Sequence, residues 1–434
     1  MSSIKVLTFN VWYVLAGYGG LKYVSADRPA RIRAIGAILA GENARASTSS
    51  GGSATPLDAS PVEPTSSGCP WDVVCLQEVW IESEGMALLA RAREGGLAHG
   101  RWYHSAALGA GLMIISRFPF VDSRMLTYPL GGDPLAVIQG DFFVGKGAAS
   151  ATLDCGALGH VEVITSHLHA PGGDGGPEWI RSHRLAQAWE LARLARAAAA
   201  KGRPVIVCGD FNTVPEGLVI ELLIARGELG DAWAATHKAP ASTTPPSPSD
   251  AIAVNGVTCD SPLCSYTAGK HLSEFAERGR GKRLDYILFR GLTCVESAVV
   301  MTERCGAFSL SDHFGVEARF VAGASELPRT MSTETLDRAS DALAEAMRQS
   351  AIKSRQQLQV FGACVALIPL LPIAASFQPL KFLNWIFVLL GILNGFGGAT
   401  MLYVGFVFGR WERSALKNVL WELDARRRSR GRGA

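Results

Sequence analysis

Six short segments set an acid, amide or imidazole beside apolar, β-branched runs: Leu7–Trp12 (LTFNVW), Leu76–Trp80 (LQEVW), Thr165–Ala170 (TSHLHA), Cys208–Asn212 (CGDFN), Arg283–Ile287 (RLDYI) and Ser309–Phe314 (SLSDHF). One such segment carries little information. The set implies metal-assisted attack on a phosphate ester, with the reacting groups at strand ends. A phosphodiester is anionic and resists water. Its hydrolysis requires neutralised phosphate oxygens, a deprotonated water and a stabilised leaving alkoxide.

Glu78 is the best metal ligand, because a carboxylate closing an apolar strand is costly unless something pairs with it. Asn10 offers an amide for the phosphate or the metal's surroundings without adding charge, and Asp312 is a further candidate ligand. Mg²⁺ suits such oxygen donors, with Mn²⁺ able to substitute. Asp210 and Asn212 alternate on an extended chain, so both are expected on one side of the scissile phosphate. His313 is the candidate general base, oriented by Asp285 from a separate strand. His167 is the nearer of two histidines to its strand end and is expected at the phosphate or leaving group. His169 reads equally well as structural.

These groups need strands to present them. Residues 4–11, 71–76, 161–166, 204–208 and 284–289 read as strands, with a last strand running to about Phe320. Asp27 is expected to cap a helix with Pro29 in its first turn, and residues 178–200 form a covering helix. Trp12–Leu21 is an aromatic, Gly-rich loop; Trp12, Tyr13, Leu15 and Tyr18 suit a lipid surface as well as packing. Residues 43–70 read as a disordered insertion, and 237–265 as irregular. Strands with covering helices imply an α/β sandwich of packed sheets.

The net charge of +3 does not mark a nucleic-acid binder, but the last 25 residues alone carry +5. Nine cysteines without a CxxC pair read as a reduced, intracellular protein, and the N-terminus shows no secretory apolar region. Catalytic residues 1–322 are followed by a charged helical linker, 323–357. A transmembrane hairpin, 358–409, comes next, with spans 361–377 (broken by Pro369 and Pro372) and 383–409. Gly391/Gly395 and Gly405/Gly409 are expected at close helix contacts. Positive residues before and after the hairpin, against Lys381 alone in its turn, place the catalytic domain and the basic tail 410–434 in the cytosol. That tail would meet anionic phospholipid as an activator.

The ordered motifs resemble the endonuclease/exonuclease/phosphatase superfamily, and more narrowly the neutral sphingomyelinases and inositol phosphosphingolipid phospholipases C. FNVW with ADRPARI, GLMIISRFP, GDFFVGKG, HRLAQAWELA and SDHFGV carry the resemblance over roughly residues 1–320. It implies a DNase I-like four-layer α/β sandwich and hydrolysis of a membrane sphingolipid. By the same resemblance Glu78 binds Mg²⁺, while Asn10, Asp210 and Asn212 hold phosphate and water. His313 with Asp285 is the base, and His167 stabilises the transition state. Asp141 and Lys146 match a segment gating substrate access. A phosphodiesterase acting on lyso-phospholipids, a superfamily nuclease, a soluble inositol-phosphate phosphatase and an inactive membrane scaffold are the alternatives. The nuclease lacks a basic stripe in residues 1–320, and the scaffold is disfavoured by the presence of Glu78, Asp210 and His313.

Overall fold

Alternation from Ile4 builds the first strand: Ile4 and Val6 enter one apolar core, Leu7 and Phe9 another, as a two-residue repeat demands. The computed structural model describes residues 3–12, 27–42, 68–137, 140–170, 177–238, 244–323 and 331–431. Tyr13, Leu15 and Tyr18 of the aromatic loop, and residues 43–67 of the expected insertion, lie outside the described residues.

The strands are β1 (Ser3–Asn10), β2 (Val73–Gln77), β3 (His99–Tyr103), β4 (Leu112–Ser116), β5 (Phe120–Thr127), β6 (Gly147–Asp154), β7 (His160–His167), β8 (Val205–Asp210), β9 (Gly230–Asp231), β10 (Asp285–Arg290), β11 (Leu292–Val300), β12 (Arg304–Cys305), β13 (Phe308–Ser309) and β14 (Gly315–Ala322). The helices are α1 (Arg28–Leu39), α2 (Glu82–Glu94), α3 (Asp141–Val144), α4 (Glu178–Ala199), α5 (Leu218–Gly227), α6 (Ala232–Thr236), α7 (Pro248–Asn255), α8 (Glu274–Gly279), α9 (Thr333–Phe377), α10 (Asn384–Leu402) and α11 (Gly409–Gly431).

Two six-stranded mixed sheets result, ordered β11-β14-β1-β2-β4-β3 and β5-β6-β7-β8-β10-β9. Val6, Val73 and Ile114 of the first sheet meet Val163, Ile206 and Ile287 of the second in one core. The outer face of the first, with Leu7, Val74 and Leu76, is covered by Ile35 and Leu39 of α1 and Leu88 and Leu89 of α2. Two packed sheets flanked by helices are the architecture the motifs implied. Each sheet has a central parallel pair, β1–β2 and β7–β8. The C-terminal ends of those pairs carry the motif residues.

Local expectations needed correction in three places. Asp27 occupies the N-cap position of α1 but makes no capping bond; it sits at φ 56°, and its Oδ2 accepts from the Tyr266 hydroxyl at 3.1 Å. The stretch 237–265 is not irregular throughout, since it contains α7, capped by Ser247. Pro369 and Pro372 do not break the first apolar helix: α9 runs unbroken for 45 residues and includes most of the expected linker.

By its contacts the chain divides into two units, residues 1–131, 143–175 and 187–331 in one and 132–142, 176–186 and 332–434 in the other. The first holds both sheets. In the second, α9 packs on α10 and α11, which a short π-helical stretch at Tyr403–Phe408 joins. Its two helical runs are long and apolar enough to cross a membrane. The helix contacts bear out half of the glycine expectation. A methyl group at Gly405 would meet Gln357 Cβ at 3.0 Å and one at Gly409 would meet Ser354, whereas Gly391 and Gly395 face open space. Gly398 makes the other close approach, 3.0 Å from Cys364 Cβ. Asn394 Nδ2 donates to the Cys364 carbonyl at 2.8 Å beside it. Residues 177–186 join this unit through His183 Nε2, 2.8 Å from Glu412 Oε1.

Candidate active site

Register puts three motif residues side by side. His167 pairs with Asp210 across the parallel β7–β8 ladder. Asp210 pairs with Asp285 across the antiparallel β8–β10 ladder. The close approach depends on Gly209 at φ 141°, where a Cβ would lie 1.9 Å from the Ser166 carbonyl oxygen. The other sheet supplies Asn10 at the end of β1, opposite Gln77, and Glu78 one residue beyond β2.

Asn10 joins the two sheets. Its Nδ2 donates to Glu78 Oε1 and to Asp210 Oδ2, each at 3.0 Å. Its Oδ1 accepts from the Trp12 amide at 3.0 Å. Around Asp210 Oδ2 stand His167 Nε2 at 3.4 Å and His313 Nε2 at 3.8 Å. His313 Nδ1 lies 2.8 Å from Asp285 Oδ2, so the expected Asp–His pair is formed. Asp210, Asp285 and His313 also offer ligand atoms within 4.8 Å of one another, a grouping that could hold a metal ion.

Asn212 departs from the expected extended alternation. It is left-handed at φ 51°; its amide N–H holds Asp210 Oδ1 at 2.9 Å, and its side-chain Nδ2 donates to the Leu168 carbonyl at 3.1 Å. It remains beside Asp210 as an Asx turn. Glu78 is also left-handed, at φ 61°, strain of a kind that concentrates at functional sites. Asp312 pairs with Lys270 Nζ at 3.5 Å. Lys146 is buried ahead of β6, and its charge acts on Glu78. Asp141 opens α3 and falls in the second unit. His169 is fully buried, its backbone N–H held by Gln187 Oε1 at 2.9 Å.

The electrostatics follow from burial. Desolvation pushes the Asp210 carboxyl up to about 7; His313 works against this and the Asp285 charge adds to it. Burial and then the Asp312 charge raise Glu78, against Asn10, Lys146 and His313. Burial disfavours a charged His313, but Cys259, Asp285 and Asp210 hold its pKa well above the usual histidine value.

Several supporting residues had no reading in the sequence. Gln77 Nε2 donates to Thr8 Oγ1 at 3.0 Å and to Thr165 Oγ1 at 2.9 Å, tying the sheets together just below the site. A buried amide in an apolar strand is itself a signal, since it must find partners. Arg31 is fully buried on α1 and donates to the Val11, Trp12 and Leu310 carbonyls, with its guanidinium over the Trp12 ring. Ser311 Oγ donates to the Asn10 carbonyl at 2.7 Å and accepts from His313 N at 3.3 Å, fixing the last motif to the first.

Carboxylates, amides and imidazoles gathered at strand ends of two packed sheets suit a phosphoesterase of the two-sheet sandwich type. The chain belongs to the Endonuclease/Exonuclease/phosphatase family, whose profile matches residues 7–313. It is similar to an inositol phosphosphingolipids phospholipase C of Schizosaccharomyces pombe, 30% identical over 97% of this chain and 93% of that one. The Saccharomyces cerevisiae protein of the same name is 35% identical over 72% of this chain and 62% of its own length. Human sphingomyelin phosphodiesterase 2 is 26% identical over 67% and 56%. A solved endonuclease/exonuclease/phosphatase from Beutenbergia cavernae superposes with a TM-score of 0.46 at 19% identity, covering 74% of this chain and 72% of that one. The chain is thus a hydrolase of phosphoric diesters, on the sphingomyelinase and phospholipase C branch of its family.

Proposed function

We propose that the chain hydrolyses a sphingolipid phosphodiester in the phospholipase C manner, releasing ceramide and a phosphorylated head group. Water forms the new P–O bond in line with the departing ceramide oxygen. The carrying observation is the S. pombe phospholipase C, matched over 97% of this chain and so through the apolar helices as well as the site. Inositol phosphate is the favoured head group over phosphocholine, because the S. pombe relative named for inositol lipids is matched over 97% of this chain and the human sphingomyelin phosphodiesterase over 67%.

The residues present fit a divalent cation. Burial and then the Asp312 charge raise the Glu78 carboxyl, and a cation relieves both the burial of that charge and the like-charge repulsion. We assign the cation to Glu78, with Asn10 and Asp312 beside it, and to Mg²⁺, which favours oxygen donors. The Asp210–Asp285–His313 grouping suits it less, because His313 Nδ1 and Asp285 Oδ2 already bond each other. When bound, the cation supplies charge neutralisation at the phosphate oxygens.

His313 Nε2, with Nδ1 tied to Asp285, accepts the proton of the attacking water in its unprotonated form, so kcat should rise with pH through its raised pKa. Asp210 orients that water and is itself held by Asn10 and the Asn212 amide. His167 donates to a phosphate oxygen as negative charge builds there. Lys146 adds a positive charge that acts on Glu78. The catalytic unit and the C-terminal helix lie on the cytosolic side, and anionic phospholipid activates through the basic tail.

Purified full-length protein on inositol phosphorylceramide and on sphingomyelin in parallel tests this reading. Both cleavages should stop in EDTA and return with Mg²⁺, and the inositol lipid should turn over faster. Glu78→Ala should lose on the order of 10²-fold or more in kcat, as removal of several kcal/mol of charge stabilisation implies. Near-normal Glu78→Ala activity at limiting Mg²⁺ would sink the metal assignment.

A further inference from the structure

The segment 257–260 takes no part in the scheme above, yet it touches both members of the Asp285–His313 pair. Thr258 is almost fully buried. Its Oγ1 accepts from the backbone N–H groups of Leu284 at 3.1 Å and Asp285 at 3.3 Å. Its carbonyl accepts from the N–H of Phe314, the residue after the histidine, at 2.7 Å. Cys259 forms bridge pairs with His313 and with Lys282; its N–H donates to the Lys282 carbonyl at 2.9 Å and its carbonyl accepts from Lys282 N–H at 2.8 Å. One short segment therefore stitches the start of β10 to the histidine loop. The approach requires Gly281: at φ 123°, a Cβ there would fall 2.4 Å from Val257 Cγ1 and 2.7 Å from the Cys259 carbonyl oxygen.

Asp285 depends on such support. Its carboxylate makes its hydrogen bond through Oδ2 to His313, while Oδ1 has none among the described residues. The aim of the side chain is therefore set by the backbone at the first residue of β10. On one side that backbone is laddered to Asp210. On the other, the Thr258 hydroxyl holds its N–H.

We propose that Thr258 is a positioning residue of the catalytic pair, its hydroxyl fixing the start of β10 so that Asp285 meets His313. The inference rests on the phosphodiesterase reading above. Thr258→Val keeps the shape and removes the acceptor, leaving two buried N–H groups without a partner. Thr258→Ser keeps the acceptor, and Thr258→Cys offers only a weak one.

The test is kinetic and spectroscopic, on purified full-length protein in micelles. Thr258→Val should lower kcat on inositol phosphorylceramide by about tenfold or more, since small misplacements of catalytic groups are costly, with KM little changed. Thr258→Ser should stay close to wild type. In an Asp285→Ala background Thr258→Val should have no further effect. An equal loss in that background, or wild-type kcat for Thr258→Val, would overturn the proposal. If the valine variant does not fold, the order Thr, Ser, Cys in kcat carries the same test, and equal rates would overturn it. A second readout needs no substrate: the low-field proton resonance of His313 Nδ1–H, identified by its loss in Asp285→Ala. It should survive Thr258→Ser and shift or vanish in Thr258→Val or Thr258→Cys. A protein inactive on every phosphodiester would refute the functional reading and leave the resonance to decide on Thr258; an unmoved resonance would refute the positioning role.

Discussion

One amide, Asn10, touches both the candidate metal carboxylate and the carboxylate proposed to orient the attacking water. That contact links Glu78 in one sheet to Asp210 in the other at 3.0 Å each. The Asp285–His313 bond makes a quantitative claim at the same scale. If Asp285 acts only through His313, the double variant His313→Ala/Asp285→Ala should be about as slow as His313→Ala alone. Multiplicative losses in kcat/KM would give Asp285 an independent role. The acids and imidazoles were legible because each adjoins an end of an apolar strand, where a charge needs a reason. The groups that aim them were less so. Arg31 reads as an ordinary helix residue until its three carbonyl partners are known, and Thr258 as an ordinary residue in a Pro/Ser-rich stretch. The conformation of Asn212 was misjudged because strand alternation ends at Asp210, where the chain turns left-handed.

At the scale of elements, strand positions came through within a residue or two, since β-branched alternation is a local signal. Helix continuity did not. Pro369 and Pro372 read as breaks, yet α9 continues through both, and Ser376 Oγ donates to the Pro372 carbonyl at 2.9 Å. Helix ends expose backbone groups that an apolar surrounding leaves unsatisfied, which favours continuing the helix. Glycine spacing was an equally partial guide, because it repeats along the helix without saying which face meets a neighbour. Gly405→Ile and Gly409→Ile should each destabilise the helices by about 1–3 kcal/mol through overpacking, seen as lower thermostability in detergent. Gly391→Ile should leave it unchanged. The reverse ranking would mean that α9 and α10 pack through a different face.

At the scale of the whole molecule, the charge pattern carries the topology. Arg348, Lys353 and Arg355 precede the first apolar stretch, Arg410, Arg413 and Lys417 follow the second, and Lys381 stands alone in the turn. The proposed topology puts both outer ends on the cytosolic side, so protease added to sealed microsomes should digest residues 1–322 before detergent. Protection of that domain would place it in the lumen.

The central claim is that this chain breaks the bond between phosphate and ceramide by direct attack of water at phosphorus. Hydrolysis of inositol phosphorylceramide in ¹⁸O-labelled water, read by mass spectrometry, tests it most directly. The account predicts unlabelled ceramide together with phosphoinositol carrying one ¹⁸O. Label in ceramide, or release of ceramide phosphate and free inositol, would contradict it.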